Sequence, residues 1–186
     1  MLRKLSVSVV LLITCMSLQA EPVKSLRDGW TFTFRESETA TPVVIHSVVV
    51  PMNWTFYHKA VSPLGIARYE RMIDLGSLIQ SPTMSRPPLM LRIGEIGTAC
   101  SIYIDDKLVA QRGLVSPNAH HHVPMVAPLY LPLPVELPHQ IRLTIDVSNF
   151  EDTNGGGIWG PIQLGPEASI RQIRDQSIIR DSLVKK

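Results

Sequence analysis

Between its glycines and prolines, this chain sets apolar residues at every second position and only rarely at every third or fourth. That spacing puts side chains on alternate faces of a strand and leaves little room for amphipathic helices. Trp30, Phe32 and Phe34 share one face, with Thr31 and Thr33 between them. Val43 to Val50 is dense in β-branched residues and is broken by Pro51-Met-Asn53, which predicts a second strand. Arg68 to Leu75, Leu89 to Ile93, Ala99 to Ile104, Gln140 to Val147 and Pro161 to Leu164 continue the series. Asp105-Asp106 is the expected tight turn leading into Leu108-Val109. About eight short strands separated by turn residues predict an all-β sandwich or jelly roll.

Two stretches depart from the pattern. Pro117, Pro124, Pro128, Pro132, Pro134 and Pro138 deny central-strand pairing to their region, because each lacks an N–H donor, so edge strand and loop are expected there. From Ala168 to Lys186, Ile170, Ile173, Ile178, Ile179 and Leu183 alternate with Arg and Asp in a roughly helical pattern. A short C-terminal helix or a tether is expected.

The N-terminus supplies Arg3 and Lys4, an apolar run of about 14 residues from Leu5 to Leu18, and Ala20 ahead of Glu21. This is the layout of a secretory signal peptide over residues 1–20, and the run is shorter than the roughly 20 residues of a spanning helix. Leu12-Ile-Thr-Cys15 loosely resembles a lipoprotein box, with Thr14 where a smaller residue is usual, so cleavage after Ala20 is the expectation. The mature part is expected to be one sandwich domain over 21–168, with 169–186 as helix or linker, in a periplasmic or extracellular setting. The formal charge of +2 comes without a basic block, which argues against nucleic acid. Cys100 then has no cysteine partner within the mature part and is expected to pack as a small apolar group.

Several segments in order resemble a known module. Leu26-Arg-Asp-Gly-Trp30, Val50-Pro-Met-Asn-Trp54, Gly65-Ile-Ala-Arg-Tyr69 and the run from Leu91 to Gly113 resemble the galactose-binding-like jelly roll at the N-terminus of family-two glycoside hydrolases. Asp105-Asp106 stands where that module usually has Asn-Gly. The segment from Val147 to Gly165, with its Gly155-Gly-Gly157 loop, is similar to the closing part of periplasmic sensor domains that precede seven-transmembrane signalling receptors with diverse intracellular modules. Ser169 to Lys186 is similar in character to the stretch that leads from such a domain toward the membrane. This second resemblance implies a sensory input domain, attached to a membrane only through a continuation absent from this chain.

Sugars present apolar C–H faces that stack on aromatic rings while polar groups fix their hydroxyls. The candidate ligand-binding residues are therefore Trp54, Tyr57, Tyr69 and Trp159, with Arg68, Asn149 and Glu151 as polar partners. Each has a structural alternative, since large aromatics also plug the ends of sandwiches, and Arg68, Glu70 and Asp74 also suit a solvated strand face. Trp30 and Tyr103 are expected in the core. Gly155 to Gly157 either turns a loop or lets backbone approach another surface closely. His120-His-His122 is expected as a solvated loop rather than a metal site, because consecutive residues of an extended segment diverge. No cofactor is expected, although oxygen atoms near Asn149 to Asp152 could serve a structural Ca²⁺.

No Gly-x-Ser-x-Gly elbow and no His-Glu-x-x-His motif occurs, and neighbouring carboxylates such as Glu36 and Glu38 do not by themselves form a glycosidase pair. The sequence therefore points to a non-catalytic, extracytoplasmic binding module for a small molecule such as a carbohydrate. An accessory sugar-binding domain of a glycoside hydrolase and a structural module that binds another protein are the alternatives.

Overall fold

The computed structural model describes residues 23–78 and 87–184. The expected leader, with Cys15 and the Ala20 cleavage point, lies outside the described residues. In chain order the strands are β1 (Lys24–Ser25), β2 (Trp30–Arg35), β3 (Val43–Val48), β4 (Met52–Asn53), β5 (Gly65–Asp74), β6 (Leu89–Ile93), β7 (Ile96–Gly97), β8 (Ala99–Ile104), β9 (Lys107–Arg112), β10 (Leu129–Pro132), β11 (Gln140–Asn149), β12 (Gly157–Ile158) and β13 (Ile162–Pro166). Helix α1 (Glu167–Val184) follows.

Three antiparallel sheets result. The large one runs β3-β2-β5-β11-β8-β9, the opposing one runs β1-β13-β6-β10, and β4-β12-β7 closes one end. Alternation explains the packing, because Trp30, Phe32 and Phe34 of β2 and Tyr69 and Ile73 of β5 share one core with Leu89, Leu91, Ile93, Ile162 and Leu164 of the opposing sheet. The ten-residue strands β5 and β11 pair along their full length, from Gly65 opposite Asn149 to Asp74 opposite Gln140. They form the middle of the large sheet. Cys100 is buried in β8, and burial pushes its thiol up to about 11.

Two local devices set up the outer face of this sheet. Gly65 starts β5 with φ +146°, and a Cβ there would stand 2.6 Å from the Arg35 carbonyl and 2.8 Å from the Phe34 ring. Only glycine lets β5 begin this close to the end of β2. At the other end, Asp105 and Asp106 both take positive φ, 47° and 65°, as a two-residue hairpin turn requires. The turn is pinned from β11: the Arg142 N–H donates to Asp105 Oδ1 at 2.8 Å, and its guanidinium pairs with Asp106. That contact compensates for the absence of Asn-Gly.

The proline-rich region yields one short edge strand, β10, bonded to β6 alone. The tail is helical over 18 residues. Its start is fixed by Glu167, whose N–H donates to the Pro88 carbonyl at 2.8 Å and whose carboxylate pairs with Arg171 one turn on. Ile170 is buried where α1 meets β13 and β6, whereas Ile178, Ile179 and Leu183 are exposed.

Candidate functional site

The sequence candidates fall into two separate regions. The larger set gathers where the small sheet closes the sandwich. Asn53 caps a 3₁₀ turn over Trp54–Phe56, its Oδ1 accepting from the Thr55 N–H at 3.0 Å and the Thr55 hydroxyl at 2.9 Å. Its amide donates to the Asn154 carbonyl at 2.7 Å, which ties the glycine loop down. A Cβ on Gly156 would lie 2.7 Å from the Trp54 ring, and one on Gly155 would lie 2.4 Å from Asn53 Oδ1. The loop does approach a surface closely, and that surface is the protein's own.

Trp54, Tyr69 and Asn149 are each 0% exposed. Phe32 sits between Tyr57 and Tyr69, with ring centroids 4.9 and 5.0 Å away, and Trp54 meets Phe34 edge-on at 5.4 Å. Half-buried Tyr57 donates to the Val49 carbonyl at 2.7 Å, and burial raises both tyrosine phenols well above their usual range. Asn149 donates to the Pro63 and Asp152 carbonyls at 2.9 and 2.8 Å, so its amide braces two loops. Trp159 is half-buried over Gly97, where a Cβ would strike its ring at 2.0 Å. Glu151 is exposed on the loop between β11 and β12.

Two of the oxygens considered for Ca²⁺ accept from local backbone. Asn149 Oδ1 accepts from the Asp152 N–H at 3.1 Å, and Asp152 Oδ1 accepts from the Asn154 N–H at 2.8 Å. Among the described residues no group of three or more His, Cys, Asp or Glu side chains is placed to hold a metal.

His122 corrects the expectation of a wholly solvated histidine loop. His120 and His121 are exposed, but His122 is 8% exposed, with Nε2 2.8 Å from Thr98 Oγ1 and Nδ1 2.8 Å from Ser148 Oγ. Two hydroxyls satisfy its ring, and that makes burial tolerable. Desolvation lowers its pKa, while Glu151 acts weakly the other way. Ser148 is 0% exposed, so its hydroxyl has no path to a substrate. Tyr103 is a second correction: it pairs with Thr144 and lies half-buried on the outer face rather than in the core.

Arg68, the remaining candidate, is on that outer face. It follows Tyr69's strand alternation in the opposite direction, so the two neighbours point apart. Its Nε donates to Asp146 Oδ1 at 2.7 Å and its Nη2 to Oδ2 at 2.8 Å, a bidentate pair across β5 and β11. The carboxylate raises the guanidinium pKa still further. Around this pair lies a groove of about 420 Å³. Thr33 and Arg35 of β2 form one side, Glu38 of the β2–β3 connection one rim, and Val115 and Pro117 of the segment after β9 the other. Among the described residues no aromatic ring lines it.

Thr33, Arg35 and Asp146 were not singled out by the sequence as site residues, and Glu38 was considered only as one of a neighbouring carboxylate pair. Alternation does place Thr33 and Arg35 outward, opposite the three aromatics of β2. What juxtaposes them with Arg68 is the pairing register, Thr33 opposite Arg68 and Arg68 opposite Asp146.

No family model matches the chain, and no curated protein matches it. Solved structures do. A GH2 β-galacturonidase from Eisenbergiella tayi bound to galacturonate aligns with 78% of this chain and 24% of its own, at 19% identity and a TM-score of 0.56. A β-D-glucuronidase from Dictyoglomus thermophilum aligns with 78% and 28%, at 15% identity and a TM-score of 0.54. The β-glucuronidase of Ruminococcus gnavus aligns with 78% and 29%, at 16% identity and a TM-score of 0.52. The match thus spans 24–29% of each of these enzymes, and at this identity it concerns fold. The chain is a galactose-binding-like jelly-roll sandwich, of the kind that the resemblance to the N-terminal module of family-two glycoside hydrolases implied.

Proposed function

We propose that the chain is an exported, non-catalytic module that takes a small polyhydroxylated molecule, a carbohydrate, into the groove on the outer face of its large sheet. The observation that carries this reading is the groove itself, about 420 Å³ lined by Thr33, Arg35, Glu38, Arg68 and Asp146. Its size is within the range of about 300–1,000 Å³ usual for small-ligand sites, and its polar groups other than Glu38 stand on paired strands. In this reading the module works in the periplasm or outside the cell as the input domain of a bacterial signalling receptor. Helix α1, anchored by buried Ile170 and exposed at Ile178, Ile179 and Leu183, is its output element. Among the described residues no helix is long and apolar enough to cross a membrane.

The glycosidase likeness favours a second reading, an accessory sugar-binding domain that delivers substrate to a catalytic domain elsewhere. Both readings share the groove. The test is a thermal-shift and calorimetric screen of neutral and acidic sugars against the wild-type chain and Ile66→Trp, which fills the groove floor. Binding is expected in the wild type and lost in Ile66→Trp. Binding that survives Ile66→Trp but disappears in Trp159→Ala would move the site to the glycine-loop end. Turnover of an aryl glycoside by the purified chain would overturn the non-catalytic reading.

A further inference from the structure

The groove has an uneven supply of charge. The Arg35 side chain is exposed and makes no hydrogen bond or ion pair among the described residues, and the same holds for the Glu38 side chain on the rim. Arg68 is committed to Asp146 through Nε and Nη2, which fixes its plane and leaves Nη1 turned away from the carboxylate. Because Thr33 is opposite Arg68 and Arg35 is opposite Ile66, the two arginines are diagonal neighbours on one face. Such positions are about 7–8 Å apart at the backbone, within reach of long side chains. Their charges repel, and Asp146 answers only one of them.

Resting on the carbohydrate reading above, we infer that this groove selects a sugar acid, whose carboxylate lies between Arg35 and the free Nη1 edge of Arg68. Three features support that class. First, the lining has no aromatic ring, so a neutral sugar would gain no stacking and would depend on hydrogen bonds worth about 1 kcal/mol each against water. Charge-assisted bonds are roughly twice as strong, so the carboxylate is the group that repays binding here. Second, Arg35 is the cation of the lining that has no ion pair among the described residues, Arg68 being paired with Asp146. A monoanion is matched by Arg35, whereas a dianion meets the carboxylates of Glu38 and Asp146. Third, those carboxylates and the Thr33 hydroxyl accept hydrogen bonds, which a simple organic anion cannot supply and sugar hydroxyls can.

Pro117 and Val115 provide the apolar wall that a sugar ring can lie against. Gly65 holds the arrangement in place, since its lack of a Cβ lets β5 start directly beside the Arg35 backbone.

The experiment is isothermal calorimetry at fixed, low ionic strength with glucuronate, galacturonate, glucose, galactose, acetate and sulfate, on the wild-type chain, Arg35→Ala and Arg35→Lys. The sugar acids are expected to bind at least tenfold more tightly than their neutral parents. Arg35→Ala should remove that preference, and Arg35→Lys should restore part of it, because a lysine keeps the charge and loses the fork. Circular dichroism melts establish that each variant is folded. Equal affinity for neutral and acidic sugars, unchanged in Arg35→Ala, overturns acid selection while leaving the binding-module reading intact. Acetate or sulfate binding as tightly as the uronates makes the groove an anion site and also overturns it. If no sugar of either kind binds, both the inference and the reading beneath it fall.

Discussion

The closed end of the sandwich and the outer face of its large sheet carry similar chemistry and put it to different use. At the closed end, Trp54, Tyr69 and Asn149 are fully enclosed, and the glycine loop presses on Trp54 with no room for even a Cβ. On the outer face, Arg35 and Arg68 stand at the surface around an open groove. Aromatic rings that could hold a sugar are covered in the first region by the protein's own side chains and glycine loop, and the Asn149 amide is spent on backbone carbonyls. In the second, groups less suggestive in sequence are left unfilled. The difference teaches that a residue's capacity to bind is decided by what already covers it.

Three substitutions can break or sharpen this contrast, beginning with the largest. Trp54→Ala is expected to cost about 3–5 kcal/mol in denaturant unfolding, since it empties a buried site against Phe34 and Gly156. A stable Trp54→Ala protein that has lost sugar binding would reverse the assignment of the two regions.

Next comes the His122 bridge beside the closed end. His122→Ala leaves the hydroxyls of Thr98 and Ser148 without their shared partner, at a cost of about 1–3 kcal/mol at neutral pH. Burial depresses the folded-state pKa of His122 below the ordinary histidine value. Its stabilising effect is therefore complete above about pH 6.5 and is lost as pH falls through the lower, folded-state pKa. Wild type and His122→Ala should converge in melting temperature on acidification. A gap that stays constant from pH 8 to pH 5 would contradict a neutral, buried imidazole.

Arg68→Ala should have the smallest effect on stability, under about 1 kcal/mol, because its side chain is 52% exposed and its ion pair with Asp146 is screened by solvent. The same substitution should nevertheless weaken groove binding. A large stability loss with unaltered binding would make the pair a structural clamp and not part of the site.

The layer architecture was legible because it depends on local alternation. Leu89–Ile93 and Ala99–Ile104 stand as strands with the expected bounds, and the proline-rich region gives only the edge strand β10. Single-residue placement was less legible. Tyr103 alternates like a core residue yet faces outward, because strand periodicity defines two faces without saying which is covered. Consecutive histidines suggested solvent, and nothing near His122 in sequence announces Thr98 and Ser148 as its partners.

By itself, then, the sequence determined an antiparallel sandwich with aromatic residues at its centre, since period-two hydrophobicity is a local property that each strand carries alone. Tertiary structure decided the site. The groove needs Thr33 and Arg35 of one strand, Arg68 of a second and Asp146 of a third in a single register, and Gly65 beside Arg35 to allow it. The three strands are separated in the chain by dozens of positions, and only cross-strand hydrogen bonding fixes which of their residues become neighbours.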